Sequence, residues 1–358
     1  MANRDTAEKW LGELTHIPTA SGREDRVIGW VEKWVSRRSD LKLERDSGGN
    51  VLITQKGRKR RPAVLAVAHM DHPAFVIEKV TDGVATFEFR GGVDPDYFHQ
   101  APVEVVSRVA AGRGVVTSYD PATSSGEMRA FGDVRPGDIV MWKMKRVRPR
   151  KDRFVAPACD DLAGVAAALA ALDRARRKAA LRHFGVLLTR AEEVGLIGAI
   201  HAAKHNTIPI DSRLISIETS RELSNVPIGG GPVIRTGDRA TVFDRELTNR
   251  ISHAAGKAGI THQRKLMDGG GCEATAFGAY GYRATGICLA LGNWHNRGNL
   301  AAVEQGHGEA VAMLEEISLA DFHGLIELLL VAVEAADEED TTRLGLERLY
   351  ESHSHYLD

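Results

Sequence analysis

The chain has 358 residues, 43% of them hydrophobic and 27% charged, which is ordinary globular usage and excludes wholesale disorder. Lys and Arg total 47 against 48 Asp and Glu, a formal charge of −1 that carries no global pull toward nucleic acid or an acidic membrane. No apolar stretch reaches the roughly 18 residues of a spanning helix, and Cys159, Cys272 and Cys288 cannot all pair and lack Cys-x-x-Cys spacing.

The start, Met-Ala-Asn-Arg-Asp-Thr, has no apolar secretory core, so the expectation is a soluble cytoplasmic protein. The N-terminal segment reads as helix, loop, helix. Pro18-Thr19-Ala20-Ser21-Gly22 breaks it, and Ser21 with Glu24 has the spacing of a capping box. Val27, Ile28, Trp30, Val31 and Val35 then recur near helical intervals, with Trp30 and Trp34 as core or subunit-surface residues. Residues 50–54 read as a strand. The basic run Lys56 to Arg61, ending at Pro62, reads as a solvated hairpin tip. Residues 63–68 form a short continuous apolar run, which suits a buried parallel strand. It delivers His69-Met70-Asp71 at its C-terminal end.

From about residue 78 to 152 the texture changes to short β-like runs at 85–89, 103–106, 114–117 and 139–142, with a turn at Arg135-Pro136-Gly137-Asp138. This predicts a small β-barrel or sandwich inserted within an α/β domain. The alternation resumes with a helix over 160–173, strands at 184–189, 214–217 and 285–290, a turn and helix over 192–204, and a helix over 322–336. The expected fold is therefore α/β, a mostly parallel sheet flanked by helices with an inserted small β-barrel. The expected divisions are a catalytic α/β domain of 1–77 and 153–336, an inserted β domain of 78–152 and a charged, solvated or subunit-contacting tail of 337–358.

The chemistry collects at the strand ends. One strand gives His69 and Asp71, the helix start gives Asp160-Asp161, and the next strand runs into Glu192-Glu193. Another strand ends in Glu218, and a late one leads to Asn293-Trp294-His295-Asn296. In an open α/β sheet the ligand site lies beyond the carboxyl ends of the strands, so five segments bring histidine or carboxylate to one rim. Asp71 is placed to accept the free ring N–H of His69. Asp160 has the two oxygens needed to bridge a pair of ions. The side chains of the adjacent pair Glu192 and Glu193 diverge, so one can bind metal while the other reaches water. Together these residues predict a shared metal site. Gly229-Gly230-Gly231 and Gly269-Gly270-Gly271 read as turns, and His99, His262 and His307 as surface or structural residues by default.

At these motifs the sequence resembles the tetrahedral aminopeptidases and their glutamyl-aminopeptidase relatives among the co-catalytic metallopeptidases. The resemblance runs through Ile17 to Glu24, Val67 to Asp71, Cys159 to Gly164, Ala191 to Ala199, Ile217-Glu218, Gly269 to Ala274 and the surroundings of His295. Glu-Glu-Val-Gly and Asp-Asp-x-x-Gly are its most specific stretches.

The resemblance implies that His69 and Glu218 bind one metal, Glu193 and His295 the second, and that Asp160 bridges both. Glu192 would be the general base and Asp71 would orient His69. It implies two divalent ions, zinc with cobalt or manganese as alternatives, peptide substrates, no nucleic acid or membrane partner, and a homo-oligomer. Three departures stand out. Glu218 replaces the more common Asp, His72-Pro73-Ala74 replaces an acidic-then-Gly continuation, and Cys272-Glu273 stands where Thr-Asp is usual. The rival readings are a di-metal deacylase or carboxypeptidase with the same ligands, and a non-catalytic metal-binding scaffold.

Overall fold

The computed structural model describes residues 2–57, 63–106, 111–144, 151–338 and 341–357. Two helices open the chain, α1 (Arg4–Leu14) and α2 (Asp25–Ser36). Asn3 caps α1 by accepting the Thr6 N–H at 2.9 Å. α2 buries Val27, Ile28, Val31, Trp34 and Val35, the face its spacing predicts. The Ser21–Glu24 capping box does not form. Glu24 itself precedes the helix and makes no side-chain cap, because both side chains hydrogen-bond elsewhere, Ser21 as a donor and Glu24 as an acceptor, as described below.

Strand β1 (Leu41–Arg45) pairs antiparallel with β2 (Val51–Gln55), and β3 (Val64–His69) follows. Lys56 and Gly57 form a turn, and the rest of the basic run expected there, 58–62, lies outside the described residues. Six strands come next: β4 (Ala74–Thr81), β5 (Val84–Arg90), β6 (Pro102–Val106), β7 (Ala111–Asp120), β8 (Ser125–Phe131) and β9 (Ile139–Trp142). They close into an antiparallel barrel in the order β4-β5-β8-β7-β6-β9. Phe75 anchors its interior, with edge-on contacts to Phe87 and Phe89 at 4.9 Å each and to Trp142 at 4.6 Å.

The α/β body resumes with β10 (Arg153–Ala156), α3 (Leu162–Ala175), β11 (Phe184–Thr189), α4 (Ile197–Lys204) and β12 (Arg213–Arg221). It continues with β13 (Val233–Asp238), α5 (Arg245–Lys257), β14 (Gln263–Met267), α6 (Glu273–Ala279) and β15 (Arg283–Leu291). Among the described residues the main sheet runs β1-β2-β11-β3-β12-β15-β13-β14. Its centre, β11-β3-β12-β15, is parallel. Successive residues of β3 point to opposite faces. Val64, Ala66 and Ala68 pack with α1, α2, α3, α5 and α8 (Leu319–Ala335), while Leu65 and Val67 pack with α4 and α6. Both faces are therefore covered, which is why β3 and β11 are buried at every position. α3 is Ala-rich and buried almost all round, so α1, α8 and the sheet can approach it closely.

Before α8 the chain makes an excursion, β16 (Arg297–Gly298), α7 (Leu300–Glu304) and β17 (Val311–Ala312), that lays Val303, Ala310 and Ala312 against the barrel core. It returns in β18 (Glu315–Ser318), which pairs antiparallel with β10. Residues expected as a charged tail contain α9 (Thr341–His353), whose described side chains are mostly exposed. No helix among the described residues is long and apolar enough to cross a membrane.

Candidate metal centre

β3 and β11 run side by side with His69 opposite Thr189, so the ends of both strands meet at one rim. His69 closes β3. Three and four residues after the end of β11, Glu192 and Glu193 sit on a turn in which Ala191 and Leu196 adopt left-handed backbone. Gly198 makes this turn possible: a Cβ there would lie 2.4 Å from the Arg190 carbonyl oxygen. Glu218 comes from β12, Asp160 from the connection before α3, and His295 from a loop after β15 in which Asn293, His295 and Asn296 are all left-handed.

The potential ligand atoms fall into three overlapping groups, each within 4.8 Å of one another: His69, Asp160 and Glu218; Asp160, Glu193 and His295; His69, Glu192 and Glu193. The six His and carboxylate residues expected as ligands or base are thus brought together, and the longer arm of Glu218 still reaches its group. Asp160 Oδ1 lies 3.4 Å from His69 Nε2, and its Oδ2 lies 3.5 Å from His295 Nε2. Glu193 Oε2 is 3.3 Å from His295 Nε2, and Glu192 Oε2 is 3.9 Å from His69 Nε2.

Asp71 has a wider part than its spacing suggests. His69 Nδ1 faces the Asp71 backbone carbonyl at 3.2 Å and its carboxylate at 3.5 Å. The carboxylate chiefly accepts the backbone N–H groups of Glu192 at 3.0 Å and Glu193 at 3.1 Å and the Ser21 hydroxyl at 2.6 Å. Glu24 completes the hold on that turn, accepting the Ala191 N–H at 3.0 Å and the Arg190 guanidinium at 2.7 Å. In place of a helix cap, Ser21 donates to Asp71 and Glu24 accepts from the Arg190–Ala191 corner.

Asp160 is flanked on three sides. Trp294 Nε1 donates to its Oδ2 at 3.0 Å, and the His72 ring meets its carbonyl at 2.6 Å and Asn296 Oδ1 at 3.0 Å. Asp161 does not cap α3 with its side chain. Its Oδ1 accepts the Thr219 hydroxyl at 2.8 Å, and Gly164 leaves it room, since a Cβ there would lie 2.3 Å from that oxygen. The barrel contributes as well: His295 Nδ1 meets the Gly92 carbonyl at 2.7 Å, leaving Nε2 toward the carboxylates.

A divalent cation fits this donor set. Among the described residues, Asp160 Oδ1, Glu193 Oε1 and Glu218 Oε1 are buried without a hydrogen-bond partner, and orphaned carboxylate oxygens in an interior require a positive partner. Burial pushes Glu192 and Glu193 well above the usual carboxylate range. Glu218 is pushed up to about 8, by burial first, against the pull of His69. Burial alone would lower His69, but Glu192, Asp160 and Asp71 outweigh it and hold the ring well above its usual value. A bound cation supplies the charge this cluster lacks.

Beside the site, Cys272 is buried at the start of α6 and Glu273 points inward with both carboxylate oxygens unpartnered among the described residues. Burial, opposed by His69, pushes the Glu273 carboxyl up to about 7. An acid with a higher pKa folded than unfolded holds its proton more tightly in the fold. Its contribution is intact below its ordinary value and is lost as pH rises through the folded one. Glu273→Gln therefore raises the thermal midpoint over wild type more at about pH 8 than at about pH 5. An equal difference at both values counts against the buried acid.

Sequence reasoning missed Ser21, Glu24, His72, Trp294 and Glu315 as site residues. A readable sign existed for Glu315, since Glu315-Glu316 is a second adjacent acidic pair beside an apolar run, like Glu192-Glu193.

Fold and site define an α/β metallo-aminopeptidase with an inserted barrel. The chain belongs to the M42 glutamyl aminopeptidase family, whose profile matches residues 49–130 and 120–306, and it is accordingly a hydrolase of the aminopeptidase type. Solved structures of similar fold include a TET aminopeptidase from a marine sediment Thaumarchaeota archaeon, with TM-score 0.77 and 22% identity over 94% of this chain and 99% of that one. An aminopeptidase from the archaeon Desulfurococcus kamchatkensis has TM-score 0.74 and 22% identity over 92% of this chain and 95% of that one. The TET1 peptidase of Pyrococcus horikoshii, described as assembling into a tetrahedron or a large octahedral shell, has TM-score 0.73 and 23% identity over 93% of this chain and 100% of that one.

Proposed function

We propose that this chain is a two-metal aminopeptidase that hydrolyses the amide bond beside the free N-terminus of a peptide. His69, Asp160 and Glu218 hold one ion, and Asp160, Glu193 and His295 hold the other. Glu192 is the general base, and Asp71 orients His69 and the Glu192–Glu193 turn. The observation that carries this reading is the shared Asp160, which offers one carboxylate oxygen toward His69 and the other toward His295. When bound, the ions supply Lewis acidity to the scissile carbonyl and lower the pKa of water.

The chain's own groups do the rest. Glu192 accepts a proton from the attacking water at its carboxylate and returns it to the leaving amine. Burial raises its proton affinity above the usual carboxylate range, the direction a general base that later acts as acid requires. Asp71 fixes where that carboxylate stands by accepting the backbone N–H groups on both sides of it. The Gly92 carbonyl holds His295 Nδ1 and so sets which ring nitrogen faces the ligand oxygens. An imidazole and carboxylate set suits zinc, with cobalt or manganese as alternatives. By analogy with the assembled relative, we extend a homo-oligomeric state to this chain. Peptides are the substrates, and the balanced charge and three cysteines that lack Cys-x-x-Cys spacing support a cytoplasmic location.

The test is hydrolysis of free and N-acetylated aminoacyl substrates by stripped protein reloaded with Zn, Co or Mn. Metal-dependent cleavage of the free-amine set alone is expected. Cleavage of the acetylated set instead identifies a deacylase, and tight metal binding without turnover on either set identifies a scaffold.

A further inference from the structure

One buried carboxylate ties together the two connections that carry Asp160 and His295. Glu315 Oε2 accepts the backbone N–H of Cys159 at 2.7 Å and of Asp160 at 3.0 Å, and its Oε1 accepts the backbone N–H of His295 at 2.9 Å. The residue is fully buried. Its own backbone is sewn on two sides: Glu315 pairs with Ala156 across β10 and β18, and Glu316 exchanges backbone hydrogen bonds with Gly292 at 2.9 and 3.1 Å. Glu315 therefore stands on a braced strand end, paired with the residue that precedes Asp160 by four in the chain, and at the close of the excursion that begins after His295.

We propose that Glu315 is a positioning residue for the metal centre, setting the separation of Asp160 and His295 by clamping their two backbones with one carboxylate. Its three acceptor bonds run to two chain segments, each bearing a ligand residue, and so fix the distance between them. His72 and Trp294 link the same two segments from other directions, but among the described residues only Glu315 holds both backbone N–H groups from a third element. The clamp touches both members Asp160 and His295 of one ligand group, and only Asp160 of the other.

This inference rests on the two-ion reading, and its consequences differ from those of that reading. Glu315→Gln keeps one carbonyl acceptor and turns an NH2 toward the remaining N–H groups, so one segment is released. Glu315→Asp keeps the charge but shortens the arm, so it too reaches one segment only. The experiment titrates stripped wild type and both variants with Zn or Co, following bound metal by equilibrium dialysis and the cobalt absorption bands.

Expected is an affinity loss of about 10–100-fold at the ion shared by Glu193 and His295. The ion at His69 and Glu218 is affected less, and excess metal restores kcat with KM unchanged. Glu192→Gln, by contrast, is not rescued by metal. Wild-type affinity at both ions in either variant overturns the proposal. So does an equal loss at both ions accompanied by a lower thermal midpoint of the stripped protein, which marks a merely structural residue. If Glu315→Gln does not fold, Glu315→Asp decides by the same criteria. Wild type that binds a single ion overturns the two-ion reading alone; a 10–100-fold loss at that ion in the variants, with the stripped protein's midpoint unchanged, still supports the clamp, and its absence overturns it.

Discussion

Glu192→Gln lowers kcat by about 10²–10⁴-fold and leaves metal content unchanged, the loss expected when a positioned proton carrier is removed. Gln preserves the shape and the backbone hydrogen bonds from Glu192 N and Glu193 N to Asp71, so the turn stays in place. The amide cannot take a proton. The group that loses function lies 3.9 Å from His69 Nε2 and sits outside the two groups that share Asp160. Steady-state kinetics beside metal analysis of the same preparation check this. Full activity in the variant, or loss of metal along with activity, removes Glu192 from the base role.

The second large effect is at Asp160. Asp160→Ala abolishes binding of both ions and with it all turnover, whereas His295→Ala gives up one. The reason is geometric: Asp160 alone is common to both ligand groups, and each of its oxygens faces a different histidine. Stability reports the same thing. An ion at a hundredfold excess over its dissociation constant stabilises the fold by about 2.7 kcal/mol per site. Metal raises the wild-type thermal midpoint by that route, and the rise disappears in Asp160→Ala. Because Asp160 Oδ2 also accepts the Trp294 Nε1–H at 3.0 Å, the stripped variant is compared with its own metal-loaded form rather than with wild type. A metal-dependent rise that persists in Asp160→Ala sinks the bridging role.

Much of this was legible in the chain itself. Continuous apolar runs at residues 63–68 and 184–189, bounded by turn signals, suit strands buried on both faces, and β3 and β11 are buried at every position. Because such strands expose only their ends, polar residues placed just after them are confined to a rim. His69, Glu192 and Glu193 follow from that confinement, and the Glu-Glu-Val-Gly and Asp-Asp-x-x-Gly motifs add the family; Glu218, expected at a strand end, lies inside β12, which runs on to Arg221 along β15. The barrel was visible as a loss of helical period, and its turn at Arg135 to Asp138 precedes β9 as expected.

Hydrophobic period and strand-end chemistry, then, are local properties, and they determined the α/β architecture, the barrel insertion and the set of groups that meet at the rim. What holds those groups at working distances is not local. Ser21 and Glu24 have a capping-box spacing, yet they bind Asp71, the Arg190 guanidinium and the Ala191 backbone N–H. His72 lies 88 and 224 residues from its two partners, and Glu315 lies 155 residues from Asp160. A buried carboxylate takes whichever N–H groups the packed chain leaves without partners. Which ones those are is settled only when strands, helices and barrel have closed around them, so the supporting contacts were decided by tertiary structure alone.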